Sequence, residues 1–397
     1  MARFPRSLLL TLSLVLIAFS WTADSSARRS RIESNLIVHE WGTFTSIADN
    51  AGRPIRWHPR GSPDSLPNFV EHFKGPGLKN VLEGTIRMET PVLYFYSSTP
   101  ATVSVKVGFS QGVMTEWYPH ASHVEPDPKA NLDEDALYKN HSDGSIAWNS
   151  VEVDPGLSAR FPDDHSQSHY YAARETGSTP VAVKNGTSLQ QEKFLFYRGV
   201  SSSPTVITAQ VRQDGGVLIK NLGQDEIPSV ILFERRGDKM GYRLGGSVQN
   251  EAGLDRPELT STPELLSRNL EELLTAQGLY PHEAHAMVET WRFSWFEEGS
   301  RLFYIVPAQF VDRMLQLSIK PVRSQTLRVF VGRIELMTPA TKDAVMNALA
   351  NHDSSVIRTY GRFLEPIVDQ LKAEDPTQAP ELDKQLWDTY GAPPRSN

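Results

Sequence analysis

The stretch LIVHEWGTFT (Leu36–Thr45) is rich in β-branched and aromatic residues, a composition typical of a buried β-strand. Similar runs recur up to Glu234, and clusters of Gly, Pro, Asn, Asp and Ser separate them. This spacing predicts a mainly β N-terminal region over residues 36–245, built as an antiparallel sandwich or a jelly roll. The predicted strands are Leu36–Thr45, Met88–Tyr96, Thr102–Phe109, Val113–Tyr118, Ser145–Val153, Val181–Lys184, Lys193–Tyr197, Thr205–Arg212, Gly216–Asn221 and Ile227–Glu234.

The pattern changes after about Arg256. Residues Ser261–Glu264 form a capping box with proline at the first helical position, and leucines then recur at helical spacing until Gly278. The sequence therefore predicts an α+β domain over residues 256–373, followed by a disordered tail over residues 374–397. Further helices are predicted at Pro281–Phe296, Pro339–Asn351 and Val356–Lys372, the last kinked at Pro366, and strands at Leu302–Val306 and Leu327–Leu336.

Residues 1–27 have the layout of a secretory signal peptide. Arg3 and Arg6 precede the apolar run Ser7–Phe19, and small residues ending at Ala27 provide a cleavage site. The run is shorter than the ~20 residues of a membrane-spanning helix, although the arginines just beyond Ala27 leave an uncleaved anchor as the alternative. We expect an exported protein, secreted or periplasmic, that meets the membrane only through this segment if the segment stays uncleaved.

Charge and composition exclude several classes of partner. The net charge is −7, and no block of Lys and Arg occurs beyond the N-terminal segment, which argues against nucleic acid as a partner. No glycine-rich phosphate-binding motif occurs, which argues against a nucleotide. The chain contains no cysteine, so disulfides, thiolate nucleophiles and cysteine metal sites are excluded.

Four ionisable residues lie inside strands that are otherwise apolar: His39, Glu40, Glu89 and Glu116. A buried carboxylate needs a cation or hydrogen-bond donors, so we expect the four to lie near one another around a metal ion or an arginine. Such a group would suit acid–base catalysis or metal binding. The alternative is structural, with Arg87, on the same strand face as Glu89, or another arginine neutralising the carboxylates.

Histidine-rich loop sequence offers a second candidate site, for a divalent metal ion such as zinc. His120 and His123 lie three residues apart, and His165 and His169 lie four apart next to Asp163. Imidazole and carboxylate are common ligands of zinc and similar ions. Solvated loop histidines are the alternative, because the segment around His165 has the composition of a loop.

Long loops on a β scaffold are where binding residues tend to lie, and three such segments occur here, at residues 49–85, 120–143 and 154–178. Aromatic residues near them could stack on sugar rings, whereas core packing is the alternative. A carbohydrate or a protein is therefore the expected ligand. The aromatic candidates are Trp41, Trp57, Trp117, Tyr118 and Trp148.

Several longer strings resemble those of a family of exported bacterial proteins. They are HEWGTFTS (His39–Ser46), RMETPVLYFY (Arg87–Tyr96), EWYPHAS (Glu116–Ser122), EKFLFYRGV (Glu192–Val200) and the segment Trp291–Pro307. The resemblance implies export and a shared fold, and it implies no activity, cofactor or catalytic residue.

No specific catalytic motif occurs, so the sequence favours a binding or surface-associated module. The alternative is a metal- or carboxylate-dependent hydrolase acting on an extracellular polymer such as polysaccharide. These two interpretations differ in what they expect of the strand carboxylates. A hydrolase needs them to converge in an open cleft, whereas a binding module does not.

Overall fold

The structure is a computed structural model that describes residues 36–57, 66–73, 82–129, 143–321 and 324–390. The predicted signal peptide, residues 1–27, lies outside the described residues. The mainly β N-terminal region and the C-terminal region of mixed helices and strands are both confirmed. No described helix has the length and apolar character needed to cross a membrane.

Eighteen strands lie within these ranges, and all ten strands predicted for the N-terminal region are among them. In chain order they are β1 (Leu36–Ala48), β2 (Glu71–His72), β3 (Ile86–Tyr96), β4 (Ala101–Phe109), β5 (Gly112–Tyr118), β6 (His123–Glu125), β7 (Gly144–Val153), β8 (Val181–Asn185), β9 (Ser188–Glu192), β10 (Phe194–Ser201), β11 (Ile207–Val211), β12 (Val217–Asn221), β13 (Val230–Arg236), β14 (Lys239–Gly245), β15 (Glu251–Leu254), β16 (Gly299–Ile305), β17 (Leu315–Lys320) and β18 (Ser324–Leu336).

Seven α-helices are described, all in the C-terminal part of the chain. They are α1 (Pro263–Ala276), α2 (Pro281–Trp295), α3 (Ala308–Met314), α4 (Pro339–Ala350), α5 (Ser354–Thr359), α6 (Leu364–Glu374) and α7 (Ala379–Tyr390). Short 3₁₀ helices cover His169–Arg174, Gly361–Phe363 and Pro376–Gln378.

A nine-stranded sheet forms the centre of the fold, in the order β14-β13-β16-β18-β1-β3-β10-β5-β2. Strand β1 pairs in parallel with β18 along its whole length, from Leu36 opposite Ser324 to Ala48 opposite Leu336. Its other neighbour, β3, is antiparallel. Two smaller sheets contain β11, β12 and β15, and β17, β4, β7, β8 and β9, with β6 added to β7.

The pairing of β1 with β18 corrects the predicted division into two domains. Strands from residues 36–245 and from residues 256–373 belong to the same sheet, and the chain from Ser34 onward is one compact unit. The capping box at Ser261–Glu264 marks a local change from strands to helices. It carries no information about which distant strands pair.

Alternation along β1 divides the core between the two faces of the sheet. Val38 and Phe44 pack toward the two smaller sheets, whereas Trp41 packs with helices α1 and α2 on the opposite face. A third apolar cluster joins Ile47 to the C-terminal helices. The helix α1 begins as predicted, because Thr262 caps it by accepting a hydrogen bond from the amide of Leu265.

Two predictions for the C-terminus are wrong. Helix α7 occupies half of the tail predicted to be disordered, and its Leu382 and Leu386, four residues apart, are buried in the third cluster. The helix predicted over Val356–Lys372 is broken near Gly361, which has a positive φ of 48°. Pro366 lies in the first turn of α6, where its missing amide hydrogen costs no hydrogen bond and produces no kink.

Candidate functional site

The structure distributes the four strand candidates among separate groups of buried side chains. His39 and Glu40 are neighbours in β1 and therefore point to opposite faces of the sheet. Glu89 lies on β3 and Glu116 on β5, with β10 between them, so their strands are ~9–10 Å apart. The expectation that the four surround one cation is therefore wrong for His39 and Glu40.

His39 forms a buried pair with Glu283 of α2. The distance between His39 Nδ1 and Glu283 Oε2 is 2.7 Å, and Glu283 has no exposed side-chain surface. The hydroxyl of Tyr96 and the backbone amide of Tyr280 also donate to this carboxylate, each at 2.8 Å. Burial, and next the charge of Glu283, raise the pKa of Tyr96 above its ordinary range, so Tyr96 stays a hydrogen-bond donor.

Glu40 is fully buried on the other face, where it receives two hydrogen bonds from distant parts of the chain. The Nε of Arg328 donates to Glu40 Oε2 at 2.5 Å, and the hydroxyl of Tyr197 donates to Oε1. Strand pairing places these groups together, because β1 lies beside β18 and one strand away from β10. This is the arginine neutralisation that the sequence left open, with Arg328 in place of Arg87.

Arg328 is held on several sides. Its Nη1 donates to Asp312 at 2.9 Å and to the carbonyl oxygen of Leu315 at 2.6 Å. Burial lowers the pKa of the guanidinium, but the charge of Glu40 and the hydrogen bonds to Glu40 and Asp312 outweigh that effect and raise it overall. Burial, followed by Glu40, raises the pKa of Tyr197 well above its ordinary value. Arg328 therefore stays charged and Tyr197 stays neutral.

A cavity of about 460 Å³ opens beside Arg328, between α3, β17 and β18. Its size falls within the usual range of sites for small ligands. Although Nη2 of Arg328 is buried, it has no hydrogen-bond partner among the described residues. A buried donor without a partner is rare in folded proteins. The cavity is lined by Asp312, Gln316, Leu317, Ile319, Thr326 and Arg328.

Glu89 and Glu116 lie where several strands are irregular. Register shifts occur in β1 between Trp41 and Thr43 and in β10 between Phe196 and Gly199. Thr90 lies between them with a φ of 49°. Bulges and strained backbone are common at functional sites, but they also re-aim side chains for structural reasons.

Threonine hydroxyls are among the hydrogen-bond partners of these two carboxylates. Glu89 accepts a hydrogen bond from Thr45 at 3.1 Å, and Glu116 accepts one from Thr115 at 2.5 Å. Arg198 lies directly opposite Glu116 in the strand register, and its guanidinium donates to the hydroxyl of Thr90. Arg87 donates to the carbonyl oxygen of Leu82 and packs over the ring of Trp57, 5.3 Å from its centre.

The four histidine candidates each have a partner of their own. His120 pairs with Glu71 at 2.8 Å, and the exposed His123 lies 3.9 Å from Glu125. His165 is exposed beside Asp163, and the ring of His169 packs against that of Trp291 at a tilt of 43°. Within the described ranges no three His, Asp or Glu side chains are grouped so that they could hold a metal ion. The divalent metal ion stays a prediction.

Arg328, Tyr197 and Glu283 were missed by the sequence analysis. Arg328 lies in the apolar run LRVFVGRIEL (Leu327–Leu336), so the argument applied to Glu40 would also have found it. Glu283 had a weaker signal. It follows Tyr280 by three residues at the start of α2, and capping explains it locally, whereas its contact with His39 spans 244 residues. Long-range contacts of this kind leave no local pattern.

Comparisons with known proteins identify no relative by sequence. No protein-family model matches the chain, and no curated protein matches it. Among solved structures, the chain is similar to the yeast delta-COP-I mu-homology domain, both alone and complexed with a Dsl1 WxWxV peptide. Each match has 8% sequence identity and a TM-score of 0.25, and covers 77% of this chain and 97% of the other. A similarity this low does not bear on function.

Proposed function

We propose that this protein is an exported binding protein and that its ligand occupies the cavity beside Arg328. The observation that carries this proposal is the buried Nη2 of Arg328, which has no partner among the described residues and belongs to a residue that lines the cavity. The signal-peptide pattern of residues 1–27 supports export.

The lining of the cavity favours a neutral ligand with several hydroxyl groups, such as a carbohydrate. Arg328 already contacts two carboxylates, those of Glu40 and Asp312, so an added anion would meet an excess of negative charge. The carboxylate of Asp312 and the amide oxygen of Gln316 can accept hydrogen bonds from sugar hydroxyls, and the amide NH₂ of Gln316 can donate one. Leu317 and Ile319 offer apolar contact to the C–H faces of a sugar ring.

The network behind Arg328 fixes the guanidinium before a ligand arrives. The guanidinium donates hydrogen bonds to Glu40 and to the carbonyl oxygen of Leu315, which restrict its orientation. The hydroxyl of Tyr197 in turn donates to Glu40 and fixes that carboxylate. A preorganised donor loses little conformational entropy on binding. In this proposal Glu40 positions Arg328 and does not touch the ligand.

Titration of the purified exported chain with saccharides tests the proposal. The neutral saccharides are glucose, galactose, maltose and cellobiose, and galacturonate is the charged comparison. We expect at least one neutral saccharide to bind more tightly than galacturonate. Gln316→Ala and Asp312→Asn should weaken that binding about tenfold, equivalent to ~1.4 kcal/mol. Gln249→Ala, at an exposed glutamine away from the cavity, is the matched control. Unchanged affinity in both cavity variants contradicts the proposal.

A hydrolase is the second candidate, and the pair of His39 and Glu283 favours it. A buried carboxylate on Nδ1 fixes the tautomer of the ring, and Nε2 has no hydrogen-bond partner among the residues described. In ester hydrolysis, Nε2 would take a proton from water as the water oxygen attacks the acyl carbon. It would then return the proton to the departing alcohol oxygen.

Hydrolysis of p-nitrophenyl acetate tests this second function. His39→Gln should abolish the activity, whereas His285→Gln should retain it, because His285 forms a similar but exposed pair with Glu271 at 2.8 Å. Equal activity in both variants excludes His39 as the base.

A further inference from the structure

We infer that the open edge of β14, together with the groove beside it, binds an extended acidic segment of a partner protein by strand addition. This interaction is separate from the cavity at Arg328. Strand β14 is an edge strand of the nine-stranded sheet and pairs only with β13 among the described strands. An unpaired edge presents backbone amides and carbonyls that can accept another strand.

The chain itself shows that this edge accepts antiparallel pairing. The amide of Ser261 donates to the carbonyl oxygen of Met240 at 2.9 Å, in an isolated bridge. Backbone groups alternate in direction along a strand, so those of Tyr242 and Leu244 face the same open side as those of Met240. The pairing stops after Ser261, where the chain turns into α1. The outer edge at Tyr242 and Leu244 is left open.

A groove of about 520 Å³ continues along this open edge. Leu244 is 54% exposed and Leu265, in the first turn of α1, is 45% exposed. An extended segment paired with β14 would place an apolar side chain between these two leucines. The groove is lined by Tyr242, Arg243, Leu244, Glu258, Thr260, Ser261 and Leu265.

Charge identifies the kind of segment. Lys239 and Arg243 are exposed and lie on the same face of β14, opposite to the face of Leu244. An added strand that alternates apolar and acidic residues would place its carboxylates beside Arg243 and its apolar residues beside Leu244. Glu258 lines the end of the groove nearest Gly241, where its carbonyl group packs. The acidic residues of the partner therefore belong at the Arg243 end.

The same charges disfavour a second copy of this chain as the occupant. Two β14 strands paired with each other would bring both copies of Lys239 and Arg243 to one edge, and like charges across a strand pair are destabilising. Exposed lysine on an edge strand is a common means by which proteins avoid self-association. An acidic segment turns this repulsion into attraction.

Fluorescence anisotropy of labelled peptides binding to the full exported chain tests the inference. Two seven-residue peptides are used, one alternating Val and Glu and one alternating Val and Lys. We expect the Val/Glu peptide to bind more tightly than the Val/Lys peptide, by about tenfold or more. Arg243→Glu should reverse this preference. Leu244→Asp should abolish binding, whereas Leu222→Asp, at another exposed leucine, should not. Melting curves of each variant confirm that it is folded.

N-methylation separates strand pairing from simple charge attraction. Methylating the peptide amides that face β14 should abolish binding, and methylating the alternate amides should leave it unchanged. Three results would overturn the inference: no binding of the Val/Glu peptide to the wild-type chain, equal loss from both methylation patterns, or a dimer of the chain that Leu244→Asp dissociates.

Discussion

Glu40 and Arg328 form an ion pair in which both side chains are buried and charged. Removing one member of such a pair leaves the other without a partner in a medium of low dielectric constant. The free energy of unfolding therefore depends on the pair as a unit. The hydroxyl of Tyr197 adds a further hydrogen bond to the same carboxylate.

We predict that Glu40→Gln lowers the free energy of unfolding by about 3–5 kcal/mol. Arg328→Met should be similarly destabilising, and the double variant should be less destabilised than the sum of the two. Urea denaturation of the four proteins measures this coupling. Additive effects would show that the two side chains do not act as a pair.

The sequence predicts the contacts of a site residue only when they are close in sequence. The strand composition around Glu40 correctly indicated a buried charge that needs a cation. It did not indicate which cation, because Arg328 is 288 residues away and reaches Glu40 only through the pairing of β1 with β18. The predicted cluster with His39 failed for a reason that the sequence does contain, since adjacent strand residues face opposite ways.

Asp164 gives a prediction for the pH dependence of stability. Hydrogen bonds from Ser166, Tyr171 and the backbone amide of Asn68 hold the pKa of this carboxyl well below its ordinary value. A lowered pKa in the folded state stabilises the protein above the unfolded pKa of ~3.9, and this stabilisation is lost as the pH falls below that value. As the pH falls below about 4, the melting temperature of Asp164→Asn should therefore decrease less than that of the wild type. Parallel curves for the two proteins would contradict the prediction.

At the scale of elements, close contact between β16 and β18 depends on a glycine. A side-chain carbon at Gly332 would lie 2.0 Å from the ring of Tyr304, a residue that is buried on the neighbouring strand. This ring crosses β18 at a point where only hydrogen fits. The apolar composition of Leu327–Leu336 predicted the strand correctly, but not this crossing.

We predict that Gly332→Ala destabilises the protein by roughly 1–3 kcal/mol, because Tyr304 must leave its position. Gly246→Ala is the matched control, since a side-chain carbon there meets nothing within 4 Å. Urea denaturation compares the two variants. Equal stability of both would show that the ring of Tyr304 moves without cost.

Secondary structure followed local signals closely, and the exceptions have physical causes. Capping residues and proline located α1 and α4, whose N-caps are Thr262 and Thr338. The helix α7 was missed because proline and polar residues dominate its surroundings, although Leu382 and Leu386 follow a helical spacing. Two buried leucines are a weak signal against that background.

At the scale of the whole molecule, β1 and β18 join the two ends of the chain in one sheet. Stability of either half therefore requires the other. We predict a single unfolding transition for the protein, with equal calorimetric and van't Hoff enthalpies. Early proteolysis between residues 245 and 256, followed by two separate transitions, would show instead that the halves fold independently.

The proposed site also depends on the whole molecule, because Glu40 comes from one end of the chain, and Asp312, Gln316 and Arg328 come from the other. The position of Arg328 in the cavity wall thus depends on the pairing of β1 with β18.

Methyl NMR of the chain labelled at isoleucine and leucine tests whether the neutral saccharides named above contact the cavity wall. We predict that the methyl signals of Ile319 and Leu317 shift on binding, whereas those of Leu222, Leu244 and Leu265 do not. Such shifts would show that the saccharide occupies the cavity beside Arg328. Unchanged signals of Ile319 and Leu317 at saturating saccharide, or shifts confined to other parts of the surface, would show that the ligand does not occupy this cavity.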